Sequence, residues 1–255
     1  MSYRASHEAP GKGESYHASF SEDPYRRLIW DLEKGILDRI ARERRSRGRL
    51  RHLDFACGTG RVLSHLAAAA DESVGVDVSA SMLAVARASA GRSEIVQADL
   101  TRSDVLGERL FDLITAFRFF PNAGPSLRSD AMRVLAKHLA GGGRLVFNDH
   151  RNASSLQFRL ARLRRCGGFD GMTLDAAREL IAAHGLEIEN VRALGFNPFS
   201  DEHPVLPPAW LRPIESYLCR WGRFWRWGSN VIFICRKAGR LGAKESRGER
   251  GSGEP

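Results

Sequence analysis

The stretch that most constrains this chain is Leu53-Asp54-Phe55-Ala56-Cys57-Gly58-Thr59-Gly60-Arg61. A short apolar run from Leu50 to Phe55 gives way to small residues, and a helical pattern follows through Val62, Leu63 and Leu66. This spacing predicts a strand, a glycine turn and a helix. Small residues at such a junction let a ligand approach the backbone amides of the helix N-terminus. The turn gains meaning from two acids: Asp77 ends the next strand, 17 residues after Gly60, and Asp99 ends the third in Gln97-Ala98-Asp99-Leu100. In a doubly wound sheet, ligands sit outside the carboxyl ends of the strands at the switch point, so all three features converge there.

The rest of the pattern agrees with that architecture. Asp23-Pro24 opens a helix, in which Leu28, Leu32, Ile36 and Ile40 recur at i+4 with Ile29 and Leu37 beside them. Strands are expected at Ser73–Val78, Glu94–Ala98, Phe111–Phe117 and Arg144–Asn148, with helices at Ala80–Ala90 and Ala131–Leu139. Gly141-Gly142-Gly143 turns the chain into the fifth strand. A helix over Leu174–His184, closed by Gly185, leads to strands at Glu187–Gly195 and Asn230–Arg236. Strands alternating with helices mean an α/β fold with a parallel sheet covered on both faces. The expected organisation is a loose arm over 1–15, one domain over 16–237 with a lid or insertion at 196–228, and a basic tail over 238–255.

Composition narrows the function classes. A chain of 255 residues with 43% hydrophobic and 27% charged residues can bury one sizeable core. It has no apolar run near the ~20 residues a spanning helix needs and no apolar centre in Met1–Ser21, so a cytoplasmic protein is expected. Cys57, Cys166, Cys219 and Cys235 form no Cys-x-x-Cys pair, which argues against a zinc site or a disulfide framework. The net charge of +9 is concentrated in Ala41–Arg51 and Arg236–Pro255. Such patches attract phosphates without sequence preference, or simply solubilise the chain.

A dinucleotide site would place Gly or Ala three residues after Gly60, where this chain has Leu63. The sequence instead resembles the class I S-adenosylmethionine-dependent methyltransferases. The resemblance runs through Leu53–Arg61, Gly75-Val76-Asp77-Val78-Ser79 with Met82, Gln97–Leu100 and Gly142–Phe147, and spans about Tyr16 to Lys237. It implies a Rossmann-like doubly wound sheet of seven strands, mostly parallel, with the last antiparallel. It also implies S-adenosyl-L-methionine as cofactor. Asp54 and Gly58, Thr59 and Gly60 match the motif that holds the methionine moiety, Asp77 the acid for the ribose hydroxyls, and Asp99 the acid facing the adenine amino group. Ala56, Cys57, Val78, Met82, Leu100 and Phe117 complete the expected cofactor contacts. Ala56 replaces the commoner first glycine, with a shifted backbone as the expected result.

Methyl transfer from a sulfonium is an in-line displacement, so positioning supplies most of the catalysis and a base is needed only for a protonated nucleophile. Candidates lie beyond strands four and five: Arg118, Asn122 and His150. His150 is the expected catalytic base, its imidazole titrating near neutral pH; the competing reading is that it satisfies a loop. The chain lacks an Asn/Asp-Pro-Pro-Tyr/Phe run and a Pro-Cys nucleophile, which turns the expectation from nucleic acid toward a small-molecule acceptor. Phe117–Asn122 resembles the small-molecule methyltransferases acting on quinones, natural products and glycans, with O-methylation expected ahead of C-methylation. A non-catalytic binding protein on this scaffold and an RNA-directed enzyme are the alternatives. Phe196–Pro208, with Asp201, Glu202 and His203, reads as a lid loop. Leu218, Trp221, Phe224 and Trp225 beside Arg220, Arg223 and Arg226 read as core packing or as a weak peripheral contact with a membrane or lipid-linked acceptor. Leu156, Leu160 and Leu163 beside Arg159, Arg162, Arg164 and Arg165 repeat that pattern.

Overall fold

The computed structural model describes residues 23–163, 172–197, 207–220 and 224–239. Helix α1 (Pro24–Arg45) starts where Asp23 accepts the amides of Tyr25 and Arg26 at 2.8 and 3.1 Å, with Pro24 in the first turn. Its last turn carries Arg42, Arg44 and Arg45, which suit the negative end of the helix dipole. Tyr25, Leu28, Leu37, Ile40 and Ala41 face the core, whereas Leu32 and Ile36 of the predicted row lie half-buried at its edge.

Strand β1 (Arg51–Phe55), helix α2 (Arg61–Leu66), β2 (Glu72–Asp77), α3 (Ala80–Ser89), β3 (Glu94–Gln97) and β4 (Phe111–Ala116) follow the predicted alternation closely. Helix α4 (Pro125–His138) begins six residues earlier than its apolar periodicity indicates, because Ser126–Asp130 is mostly polar and, apart from the partly buried Leu127, the fully buried positions start at Ala131. Strand β5 (Leu139–Asp149) runs through the glycine triplet instead of starting after it. Gly142 takes a left-handed φ of 72°, and the pairing register with β4 shifts between Phe111 and Leu113, so the triplet is an irregularity inside a strand.

Helices α5 (Leu156–Leu163) and α6 (Leu174–Ala183), strand β6 (Leu186–Leu194), helix α7 (Pro208–Arg220) and strand β7 (Asn230–Lys237) complete the chain order. The sheet order is β3-β2-β1-β4-β5-β7-β6, and β7 runs antiparallel to both neighbours. β1 and β4 are the central neighbours whose crossovers leave in opposite directions, which puts the switch point above Ala56 and Phe117. The larger core cluster holds Phe111, Phe120, Phe147 and Phe233; the second, which holds Leu37, Leu50, Leu113 and Ile232, lies under α1 and α2.

Helix α7 is described as far as Arg220, and residues 221–223 between it and Phe224 lie outside the described residues. Trp225 packs against the larger core cluster, with the Arg178 and Arg226 guanidinium carbons 4.9 and 5.6 Å from its ring centre. In α5 it is Phe158 that is buried, while Leu163 is exposed. Trp221, Arg223, Arg164, Arg165, Asp201, Glu202 and His203 lie outside the described residues, as do both chain ends. Among the described residues no helix is long and apolar enough to cross a membrane.

Ala56 follows β1 with φ 53°, a left-handed conformation that costs an L-residue roughly 1–2 kcal/mol. The alanine therefore adopts a glycine-type backbone. Ala56→Gly removes that strain and adds unfolded-chain entropy worth about 0.4–1 kcal/mol, so the net expectation is stabilisation of up to about 1.6 kcal/mol. Denaturant unfolding checks this; a less stable variant contradicts the strain assignment.

Candidate active site

The turn after β1 is shaped by close packing on two sides. Gly60 has φ 77° at the N-cap of α2, and a Cβ there would sit 3.0 Å from the Ala86 methyl of α3. Gly75 of β2 faces Leu63 so closely that a Cβ would meet its Cδ2 at 2.5 Å and the Cys57 sulfur at 3.1 Å. Both glycines let α2 lie directly on the sheet with its N-terminus at the turn. The Cys57 amide donates to the Val76 carbonyl at 3.0 Å, extending the β1–β2 ladder by one rung. Burial pushes the Cys57 thiol up, and Asp54 and Asp77 add to the effect, so this cysteine is an inert packing group.

Asp77 ties the turn to the end of β2. Its Oδ2 accepts the Gly58 amide at 2.8 Å and its Oδ1 accepts the Ser79 amide at 2.9 Å. Ser79 in turn caps α3, its hydroxyl accepting the Met82 amide at 3.4 Å. A carboxylate oxygen carries two lone pairs and can accept more than one hydrogen bond. Asp99 is set likewise by Thr101, whose amide and hydroxyl donate to Oδ1 at 3.0 and 2.6 Å.

Asp77 and Asp99 share one crevice with Ala56, Val78 and Leu100. Its other walls are Phe55, Val76, Ala98, Phe119 and Leu127, and the Phe55 and Phe119 rings meet edge-on at 4.9 Å. An apolar slot with a carboxylate at each of two strand ends suits a flat purine joined to a diol. Where a Cβ of Gly58 would point, there is no atom within 4 Å, so the turn is open to a ligand on that face. The residues present therefore fit S-adenosyl-L-methionine: Asp77 would take the ribose hydroxyls, Asp99 the adenine amine, and the Gly58–Gly60 turn the methionine end.

The remaining predicted contacts divide. Thr59 and Met82 are buried supports of the turn and of α3. Phe117 does not line the crevice; it packs in the cluster under α1, and Phe119 supplies the aromatic wall instead. The backbone reverses between them at Arg118, which has φ 61°. Asp54 is buried within the sheet, where burial pushes its carboxyl up to about 7 against the lowering effect of the Thr115 hydroxyl, the Leu63 amide and Arg61.

His150 lies just beyond β5 in a second recess, with Tyr25, Arg26, Glu33, Arg61, Arg118 and Asn230. Burial, then Arg118, Arg151 and Arg61, hold its imidazole well below the ordinary histidine range, so it is neutral at working pH. Its Nδ1 is buried and has no hydrogen-bond partner among the described residues. Arg118 and Asn122, the other candidates, are joined to each other: the Asn122 side chain donates to the Arg118 carbonyl at 2.6 Å, which assigns Asn122 to holding the turn.

Several residues that organise this recess carry no signal in the sequence. Glu33 of α1 is buried, accepts the Asn230 amide group at 2.8 Å and pairs with Arg61 at 3.4 Å. Asn148 accepts the Arg118 backbone amide at 2.6 Å and donates to Asn230 at 3.0 Å. Glu215 of α7 accepts the Gly195 and Phe196 amides at 2.9 and 2.8 Å and the Tyr25 hydroxyl at 3.1 Å. Asp149 is fully buried with its carboxyl pushed up to about 6 by burial, and its Oδ2 has no partner among the described residues. The described residues contain no group of His, Cys, Asp or Glu that could hold a metal ion.

Asp77→Ala removes an acceptor for the ligand and for two backbone amides. Hydrogen bonds to charged groups contribute roughly 1.5–3 kcal/mol each, so cofactor affinity should fall at least about tenfold and stability should fall as well. Calorimetry with S-adenosylmethionine checks this, and an unchanged dissociation constant contradicts the site. Asp99→Ala should cost less.

Residues 53–143 match the methyltransferase domain family. No curated protein sequence matches the chain. Among solved structures, the magnesium protoporphyrin IX methyltransferase of Synechocystis, with bound S-adenosylhomocysteine, superposes with a TM-score of 0.56 at 14% identity, covering 84% of this chain and 86% of that one. The CcbJ methyltransferase of Streptomyces caelestis gives 0.53 at 18% identity over 75% and 85%. A TehB-like methyltransferase of Corynebacterium glutamicum gives 0.50 at 18% identity over 91% and 100%. These likenesses concern the fold, and the family match covers the strands, turn and acids described above. With that sheet order, the glycine turn and the two strand-end carboxylates in one crevice, residues 53–143 match the methyltransferase domain family and the chain has the fold of S-adenosylmethionine-dependent methyltransferases.

Proposed function

We propose that the protein methylates a hydroxyl group of a small-molecule acceptor, with His150 as general base. The observation that carries this reading is the His150 imidazole, neutral and with an Nδ1 that has no partner among the described residues, in a recess next to the cofactor turn. The turn is common to both cavities, since Ala56 lines the crevice and Arg61 the recess. S-adenosylmethionine lying across it would supply an electrophilic methyl group at the recess. The acceptor hydroxyl would enter beside Tyr25 and Arg118, where Glu33 and Asn148 hold Arg61 and the Arg118 backbone in place. As the oxygen bonds carbon, its proton becomes strongly acidic, so even a weakly basic neutral imidazole can take it at Nδ1.

The buried polar ring around the recess favours a compact acceptor over a nucleic-acid strand. The name of the Synechocystis enzyme indicates a small-molecule substrate on the same fold, which supports the same class here. A lipid-linked acceptor remains compatible with the exposed Trp210, Tyr217 and Trp227. A cytoplasmic site of action is part of the proposal.

His150→Ala should lower turnover by about 10² to 10⁴ and leave cofactor affinity nearly intact, with the loss shrinking as pH rises and the acceptor ionises by itself. Because the folded imidazole titrates well below 6.5, wild-type activity should stay level from neutral pH down until that lowered value is reached. Labelled methyl transfer to a panel of phenols, glycosides and quinols measures this. A loss confined to Asp149→Asn would move the base to that carboxylate, and near-normal turnover of both variants would favour a carbon or pre-ionised acceptor.

A further inference from the structure

Over much of the surface, cations are matched by carboxylates: Arg51 pairs with Asp112, Arg109 with Glu72, Arg144 with Glu189 and Arg236 with Glu187. One region departs from this. Arg151, which precedes α5, Arg159 and Arg162 of α5, and Arg226 of the turn before β7 are all exposed. None of them pairs with a carboxylate among the described residues. The segments 150–163 and 224–229 contain no Asp or Glu at all. Between these cations stand three large exposed apolar side chains, Leu163 at 79%, Trp227 at 54% and Phe224 at 38% exposure.

The two segments form one platform. Buried Asn152 donates from its side chain to the Arg226 and Gly228 carbonyls at 3.1 and 2.8 Å, and its amide donates to the Ser229 carbonyl at 3.2 Å. The Leu156 amide donates to the Trp227 carbonyl at 3.1 Å. Buried Ser155 starts α5 by accepting the Phe158 amide on its hydroxyl at 3.2 Å. Phe158 is buried and Trp225 packs against the larger core cluster, so both segments have an inner side. Helical spacing puts the row Leu156, Leu160 and Leu163 on the side of α5 away from Phe158, with Arg159 along its edge. Single exposed apolar residues are ordinary, but a fixed apolar row set among unmatched cations is complementary to a surface that is anionic outside and apolar beneath.

We propose that α5 and the Phe224–Trp227 turn form a docking face for an anionic membrane surface. Arg151, Arg159, Arg162 and Arg226 meet the headgroup charges, while Leu163, Trp227 and Phe224 enter the boundary between headgroups and acyl chains. An indole suits that depth because its ring is apolar and its N–H still finds an acceptor. Nucleic acid fits less well: its phosphates would satisfy the arginines, but the exposed leucine at the end of α5 offers a base neither a hydrogen bond nor a stacking plane. The face borders the recess, since His150 and Ser229 line that recess and lie next to the Asn152 junction. Docking itself does not depend on which acceptor atom is methylated or on His150 acting as a base.

The test is sedimentation of the full chain with vesicles of phosphatidylcholine, alone or mixed with phosphatidylserine, in low and high salt. Wild type should bind the mixed vesicles, leave the neutral ones largely in solution, and keep part of its binding in high salt. Basic residues in 41–51 and 236–255 can also attract anionic lipid, so variants of the face carry the test. Arg159→Gln with Arg162→Gln should weaken low-salt binding about 25-fold, since each surface cation contributes roughly fivefold. Leu163→Gln with Trp227→Ala should weaken it about tenfold and remove the binding that survives high salt, because salt does not screen an apolar contact. Unchanged thermal unfolding and S-adenosylmethionine affinity verify that these variants fold; if Trp227→Ala does not, Leu163→Gln alone gives the same result with a smaller loss. Wild type that leaves mixed vesicles unbound overturns the proposal, as does full binding by the folded variants. An RNA and DNA shift assay runs beside it: nucleic-acid binding that these variants abolish, with vesicle binding unchanged, assigns the face to nucleic acid and also overturns it.

Discussion

One carboxylate joins the two halves of the cofactor crevice. Asp77 accepts an amide from the turn after β1 and another from the start of the α3 cap, so the ends of β1 and β2 cannot move independently. Everything placed around the ligand depends on this clamp. The glycines at 60 and 75 let α2 and α3 pack closely enough for the amides to reach Asp77, and Ala56 accepts a left-handed backbone to complete the turn. The strain at Ala56 is thus stored where the chain must bend over the sheet to meet a ligand.

The recess beside the turn is built differently. Its geometry comes from buried polar residues on elements distant in sequence: Glu33 from α1, Asn148 from β5, Glu215 from α7 and Asn230 from β7. Each is hydrogen-bonded to side chains or backbone of another element, which is what makes burial of such groups tolerable. Helix α1 is the lid of this arrangement. Tyr25 reaches Glu215, Glu33 reaches Arg61, and Trp30 lies 4.1 Å from the Arg61 guanidinium carbon, so the helix covers the recess through polar contacts as well as through its apolar face.

These two constructions explain what the sequence made legible. Glycine turns, strand-end acids and alternating apolar runs follow local rules, and β1 through β4 with their helices, Asp77 and Asp99 could be placed from residue order alone. The first half of α4 could not, because an exposed polar helix start has no apolar period. Of the stripe through Trp225, Trp225 itself packs against the larger core cluster, in line with the core-packing reading. Phe119, not Phe117, lines the crevice, with one left-handed residue, Arg118, between them. Glu33 and Glu215 were silent for a deeper reason: a polar residue on an element reads as solvent-facing until its partner from elsewhere in the chain is known.

The central claim is that one ligand spans both cavities, with adenosine in the Asp77–Asp99 crevice and its methionine end at the turn facing His150. A crystal structure of the protein with S-adenosylhomocysteine measures this directly. The account predicts ribose hydroxyls on Asp77, the adenine amine beside Asp99 and the sulfur directed at the recess lined by Arg118 and His150. A ligand bound elsewhere, or one in the crevice whose sulfur faces away from that recess, would contradict it.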